Sequence, residues 1–337
     1  MGARSSNTDR NGHRSNSQNR LLNGHVANFF NSHLNAGTIG PNSVIVRPNQ
    51  ATGGVKFHSG DYTYHFYTSE TPATFSSLSL TQANVIVIGS GAHAQGDGSG
   101  GSGAGGVAHG VNVPISPPGT YTISAGAPTP NSSSTGSNST FGAPTYTITA
   151  LGGGRGRDTN PGQDGGSGGG GGQPTNGGGS GTQPTQNPGM PYVTNYGNDG
   201  GSGTPGDIGG GGGGAGGAGA PGASAGTGGA GQPFPAMPGP GLYADMPGAL
   251  KSTLGTNWRD ALGPTGLMGG GGGGGRNNTA GGAPGPGGGG RGGGGQAGDF
   301  TPGVNYTGGG GGGGASYGGD PTGGSGGHGV IVVYYSS

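Results

Sequence analysis

The sequence predicts an all-β fold: a β-sandwich whose last strand follows a long glycine-rich insertion folded as a polyglycine II helix bundle, with few or no α-helices. Three observations predict it. Glycine supplies 98 of the 337 residues, most of them within 152–329. Strand-like sequence flanks that stretch, with Tyr146-Thr147-Ile148-Thr149 before it and Val330-Ile331-Val332-Val333-Tyr334-Tyr335 after it. Between residues 44 and 150, short apolar runs alternate with turn signals, as in sandwich folds. A tail that was simply disordered would have no need of a hydrophobic strand at its far end. The organisation that follows is an N-terminal arm over 1–50, a β-sandwich over 51–150 plus 330–337, and a glycine-rich bundle with connector loops over 151–329.

Residues 1–20 are polar and basic, with Arg4, Arg10, Arg14 and Arg20 set among Asn and Ser. They read as an attachment arm ordered on a neighbouring subunit, or as a solvated tail. Val26, Phe29, Phe30 and Leu34 recur at three to four residues, the spacing of a short amphipathic helix, and Phe29 and Phe30 would suit docking onto another protein. The β pattern begins at Val44-Ile45-Val46. Tyr62-Thr63-Tyr64-His65-Phe66-Tyr67 alternates, placing Tyr62, Tyr64 and Phe66 on one face. Thr74-Phe75 and residues 78–80 lead into Val85-Ile86-Val87-Ile88, a continuous run of the kind covered on both faces. Residues 111–115 follow; after the Pro118-Gly119 turn signal come Thr120-Tyr121-Thr122-Ile123 and Thr145-Tyr146-Thr147-Ile148. The runs ending in Ile88-Gly89 and beginning at Gly329-Val330 share one theme, a buried strand abutting glycine. They are expected to be adjacent central strands from whose ends the glycine layer grows. A minor excursion over 89–106 precedes the major one after Leu151.

Ordering glycine is expensive, roughly 1–2 kcal/mol of backbone entropy per residue or more, while closing a floppy loop of this length costs only about 5 kcal/mol. Order therefore needs a positive reason. Side-chain-free extended helices supply one, because they approach closely enough to exchange N–H···O=C bonds laterally, with Cα–H···O contacts in support. The unbroken glycine runs at 269–275 and 308–314, with 165–172, 209–219, 281–295 and 323–329, have rod-like lengths; seven residues span roughly 22 Å at about 3.1 Å each. A disordered spacer is the alternative.

Composition excludes several functions. Twelve basic and twelve acidic residues leave no net charge for a nucleic-acid partner; the sparse Arg-Gly pairs lack interleaved aromatics. Cysteine is absent, so no disulfide or thiolate site operates. The apolar runs are too short to cross a bilayer, and the first 30 residues lack a secretory h-region. Asp97, Asp158, Asp164, Asp199 and Asp207 stand alone in turns, and no nucleophile elbow, HExxH or P-loop occurs. His93, His109 and His328 border glycine segments and could converge at one end of the sheet, but read as hydrogen-bonded or solvated imidazoles. No enzyme activity, metal or cofactor is expected.

Contact chemistry then falls to the connectors. Residues 232–268 hold Phe234, Tyr243 and Trp258, the only tryptophan, and Trp and Tyr are common anchors of recognition surfaces. The competing reading is a miniature core, with 249–254 and 258–262 as one-turn helices packed together. Tyr192 and Tyr196 mark a second candidate surface; Phe300 with Tyr306 marks a third.

The order Tyr62-Thr63-Tyr64-His65-Phe66-Tyr67, Asn84-Val85-Ile86-Val87-Ile88-Gly89-Ser90-Gly91, Pro118-Gly119-Thr120-Tyr121-Thr122-Ile123, Ser139-Thr140-Phe141-Gly142 and Ile148-Thr149-Ala150-Leu151, closing with His328-Gly329-Val330-Ile331-Val332-Val333-Tyr334-Tyr335, resembles the glycine-rich domain of phage virion proteins. Such domains recur in tail fibres of marine and cyanobacterial phages. The bundle is also similar in architecture to the tip adhesin of T-even-like long tail fibres, whose distal loops bind host receptors. This chain departs from the adhesin in having a β-domain that encloses the glycine block, and its own N-terminal arm. The resemblance implies a virion structural protein of tail-fibre or adhesin type, homo-oligomeric, made in the host cytoplasm and released in particles by lysis. Its arm would hold other virion proteins, and its connectors would contact a host glycan or outer-surface protein. The alternative is a capsid decoration or self-assembling fibre-forming protein with no receptor role. Ice binding, a third class, is disfavoured by the long, irregular connectors.

Overall fold

The computed structural model describes residues 50–96, 98–128, 134–206, 208–224, 226–277, 280–295, 299–315 and 322–337. The expected arm with Arg4, Arg10, Arg14 and Arg20, the stretch holding Phe29 and Phe30, and the strand at Val44-Ile45-Val46 lie outside the described residues, as do Asp97 and Asp207.

The protein is mostly sheet, as expected. Strands β1 (Ala51–Thr52), β4 (Ala73–Ser77), β7 (Gly119–Ser124), β8 (Ser139–Gly142) and β9 (Thr147–Ala150) form one antiparallel sheet in that order. A second runs β10 (Val193–Tyr196), β6 (Val107–Pro114), β5 (Gln82–Ile88), β13 (Val330–Ser336), β3 (Tyr62–Tyr67), β2 (Val55–Ser59), again antiparallel throughout. The C-terminal strand thus enters the middle of its sheet, with Val330 opposite Ile88 and Ile331 opposite Tyr67.

Alternation decides which side chain goes where. Val85, Val87, Ile331, Val333 and Tyr335 join Phe75, Tyr121, Ile123, Phe141 and Ile148 in a core between the two sheets. Ile86, Ile88, Val330, Val332, Tyr64 and Phe66 point the other way into a second core. That second core is closed by the connector that read either as a contact surface or as a miniature core. Helices α1 (Gly239–Asp245) and α2 (Gly248–Leu262), flanked by the two-residue ladder β11 (Gln232–Pro233) and β12 (Leu267–Met268), lay Phe234, Met237, Leu242, Met246, Leu250, Leu254, Trp258 and Leu262 on the sheet. Gly255, at φ +74°, breaks α2 into two pieces. These match the two short helices of the miniature-core reading.

The strand expectations need small corrections. Residues 78–80 bend instead of pairing, β6 starts at Val107 and β9 at Thr147. β1, β2, β8, β10 and the short β11–β12 ladder are strands the sequence reading did not pick.

The glycine segments form rods that bond to one another and seldom to themselves. Rod 99–106 shows the rule. Its N–H groups at 100, 103 and 106 donate to the carbonyls of Arg157, Gly154 and Leu151; those at 101 and 104 to Gly210 and Gly213; those at 102 and 105 to Gly311 and Gly308, at 2.8–3.0 Å. Its carbonyls at 103 and 106 accept from Ala92 and Gly89, those at 101 and 104 from Gly170 and Ser167, those at 99 and 102 from Gly275 and Gly272. Each neighbour is met at every third residue, the repeat of an extended chain with three residues per turn. The neighbours close a ring among themselves, through Gly154 N–H to Ser167 O, Gly210 to Gly171, Gly209 to Gly275, Gly310 to Gly270, Gly311 to Ala92 and Gln95 to Gly156. The excursion at 89–106, minor in length, therefore supplies the hub of the array.

At most interior glycines such spacing leaves no room for a side chain, Ser99, Ser102, Ala104 and Ser167 being small residues that do fit. A Cβ on Gly101 would sit 2.1 Å from the Gly272 carbonyl oxygen, and one on Gly153 2.1 Å from that of Gly103. Where the chain leaves β9 for the array, a satisfied polar cluster fixes it. Gln183 Oε1 accepts from Leu151 N–H at 2.8 Å, Asn187 Oδ1 accepts from Thr149 N–H at 2.8 Å, and both amide nitrogens donate to Asn195 Oδ1.

Candidate functional site

Successive rods run outward from the sheets and back. The described link residues around 157–163 and 172–177, and the described ends of the rods at 95, 99, 203, 209, 222, 226, 276, 282, 293, 301, 314 and 323, therefore fall at the far end of the array. Most described residues there are polar or small, as with Asp158, Thr159 and Asn160 in one link, Gln173, Thr175 and Asn176 in the next, and Thr204 and Pro205 in a third; half-buried Ile208 and Phe300 are the exceptions. Links at the sheet end, 182–196, 232–268 and 305–307, carry the aromatics.

This division relocates the sequence-derived contact residues. Trp258 is fully buried; its Nε1 donates to the Tyr306 carbonyl at 3.0 Å and its ring meets Phe66 edge-on at 6.0 Å. Phe234 is 3 % exposed and packs edge-on against His109 at 5.2 Å. Neither reaches a partner, because the sheet's second face needs them more than a solvent-facing surface does: burying a large side chain is worth about 1.5–3 kcal/mol. Tyr243 is half-buried, flanked by Lys251 and Arg259 at 5.8 Å from its ring. Tyr192 and Tyr196 bracket β10, packed against the first and second cores respectively. Tyr306 adopts φ +61° and stacks on His328 at 4.9 Å. The structure does not bring these six aromatics together into one surface.

The histidines also separate. Among the described residues no three His, Cys, Asp or Glu side chains gather as metal ligands. His93 donates through Nδ1 to the Ala94 carbonyl, His109 Nε2 lies 3.3 Å from the Tyr334 hydroxyl, and His328 faces Glu70 at 3.5 Å. Burial holds all three below the ordinary imidazole range, with Glu70 opposing the shift at His328. His65, fully buried on β3, is pushed down to about 4, mainly by burial. Its Nδ1 donates to Gly53 O at 2.7 Å, so Nε2 accepts from the Tyr335 hydroxyl at 3.1 Å. These are structural imidazoles held neutral.

One concave feature lies where two sequence-flagged connectors meet. Leu254 and Asn257 of α2 face residues 301–305 and Gly289 across a groove of about 460 Å³. Phe300 and Tyr306 flagged that second connector, but the groove is lined by the residues between them. Asn257 and Asn305 carry no periodic or motif signal and were not legible as site residues.

Residues 68–336 match the family described as a glycine-rich domain. No curated protein matches the chain.

Proposed function

The chain belongs to the glycine-rich domain family, and from that premise we propose that it is a non-enzymatic structural subunit of a phage particle, of tail-fibre or adhesin type. In this reading the facing sheets form a β-sandwich and the rods a polyglycine II bundle, together a rigid platform for the far-end links. The arm over 1–50 attaches the platform to other virion proteins, the subunit is homo-oligomeric, and the links meet a host-surface glycan or protein. The observation that carries the reading is the bias among links: those at the end away from the sheets are mostly polar, Phe300 excepted, while the aromatics of the sheet-end links pack wholly or partly on the cores. Candidate contacts thereby shift from Trp258 and Phe234 to residues such as Asp158, Asn160, Gln173 and Asn176.

The alternative of a fibre growing by rod-to-rod bonding is opposed on one flank of the array. Pro284, Pro286 and Pro302 stand there, and proline offers no N–H to a docking rod. The test is immunogold labelling of phage particles, followed by competition of adsorption with purified protein. Ala substitution of Asn160, Gln173 and Asn176 together should abolish competition while leaving folding intact. Labelling confined to heads, or competition untouched by the triple variant, would overturn the reading.

A further inference from the structure

The groove between α2 and residues 301–305 has a chemistry the platform does not require. Its size falls in the range of small-molecule sites, roughly 300–1,000 Å³. None of its lining residues is charged, so it offers nothing to an ionic ligand. Leu254, Pro302 and Val304 supply apolar wall, and Gly289 and Gly303 let a flat ligand approach bare backbone. Two exposed carboxamides, Asn257 and Asn305, flank this wall with no hydrogen-bond partner among the described residues. The carbonyls of Pro302 and Gly303 likewise accept no bond from described residues. Carboxamides donate and accept on the same tip. With free carbonyls beside them over an apolar wall, they complement a ring that bears hydroxyls at its edge and C–H groups on its face.

We propose that this groove binds a neutral saccharide of one or two pyranose rings, held by Asn257 and Asn305 and stacked on Val304 and Pro302. The proposal adds to the adhesin reading a contact separate from the far-end links, and rests on that reading for the ligand's biological source. An extended peptide is the poorer fit. It presents its N–H and C=O groups along an edge and is best met by an open strand edge, which neither wall provides.

Trp258 provides a built-in reporter. It follows Asn257 directly in sequence, and its Nε1 holds the carbonyl of Tyr306, next to Asn305, so it is tied to residues adjacent to both walls. The experiment titrates the full chain with methyl glycosides of glucose, galactose, mannose and N-acetylglucosamine and with their disaccharides. Tryptophan emission and saturation-transfer NMR are the two readouts. At least one sugar should give a saturable response near the millimolar range, about 10⁻³ M. The Asn257→Ala/Asn305→Ala double variant should weaken it by at least about tenfold, the scale of lost hydrogen bonds, with an unchanged melting curve. The proposal fails if no neutral sugar saturates either readout, if the double variant binds equally well, or if short uncharged peptides saturate where sugars do not. A sugar response in a protein that labelling places off the particle would retain the groove and discard the particle reading. A silent groove in a particle-bound protein would do the reverse.

Discussion

The sheets and the rod array bury their backbones by opposite means. Between the sheets, Val85, Val87, Phe75, Phe141 and Ile331 exclude water with side-chain volume, each large residue contributing about 1.5–3 kcal/mol. In the array there is no volume to contribute. Each backbone hydrogen bond adds a net of only about 0.5–1.5 kcal/mol, and the inner rods hold because every amide of 100–106, 165–172, 209–216 and 269–276 finds an acceptor. A sheet core tolerates exchange of one apolar side chain for another of similar size, whereas the array admits only side chains as small as Ser102, Ala104 and Ser167 at a few interior positions and none at its close-packed glycines.

The comparison breaks first, if it breaks, at the hub. Gly101→Ala places a methyl 2.1 Å from the Gly272 oxygen and should cost more than about 4 kcal/mol or prevent folding. Gly177→Ala, whose Cβ would meet nothing within 4 Å, should stay within about 0.5 kcal/mol. Denaturant midpoints that moved equally would show that the array is not close-packed.

A second test falls on the sheets. Because His65 is held neutral, with its pKa depressed to about 4, the folded state binds fewer protons than the unfolded state between about pH 6.5 and 4. Its contribution is therefore complete above pH 6.5, falls as the medium is acidified through that window, and amounts to about 3 kcal/mol at most. The depressed His93, His109 and His328 add with the same sign. Thermal melting points followed from pH 7 to 4 should decline, and a flat profile would contradict the buried, neutral His65.

The seam between sheet-end connector and array gives a smaller effect. Trp258→Phe keeps most of the packing but leaves the Tyr306 carbonyl without its donor, and should cost about 1–3 kcal/mol in chemical denaturation. Smallest in stability, and sharpest for the flanks, is Pro284→Gly with Pro286→Gly. It should leave the melting point nearly unchanged yet produce concentration-dependent association in sedimentation velocity, since free amides would then face outward.

Much of the sheet fold was legible because strands announce themselves through side chains. The alternation in Tyr62-Thr63-Tyr64-His65-Phe66-Tyr67 and the continuous run Val85-Ile86-Val87-Ile88 gave faces, burial and the central β5–β13 pairing. β10 was missed because Val193-Thr194-Asn195-Tyr196 is short, lies among turn residues, and reads equally as a contact loop. Rods were legible as rods, but their neighbours were not: glycine carries no pattern that says which run abuts which. Residues 99–106 looked incidental for that reason. Aromatic connectors were ambiguous on physical grounds, since Trp258 and Phe234 serve a recognition surface and a hidden core with the same chemistry. The groove amides Asn257 and Asn305 had no sequence signal, because their pairing exists only once two distant connectors meet.

The hub's bonds reach partners far along the chain, Ser102 donating through its hydroxyl to Gly311 across 209 positions. Such contact order makes closure of the hub late and slow, so the array cannot close until residues as far along as Gly311 have emerged. Assembly is thereby gated by completeness: an interrupted product cannot masquerade as a finished one.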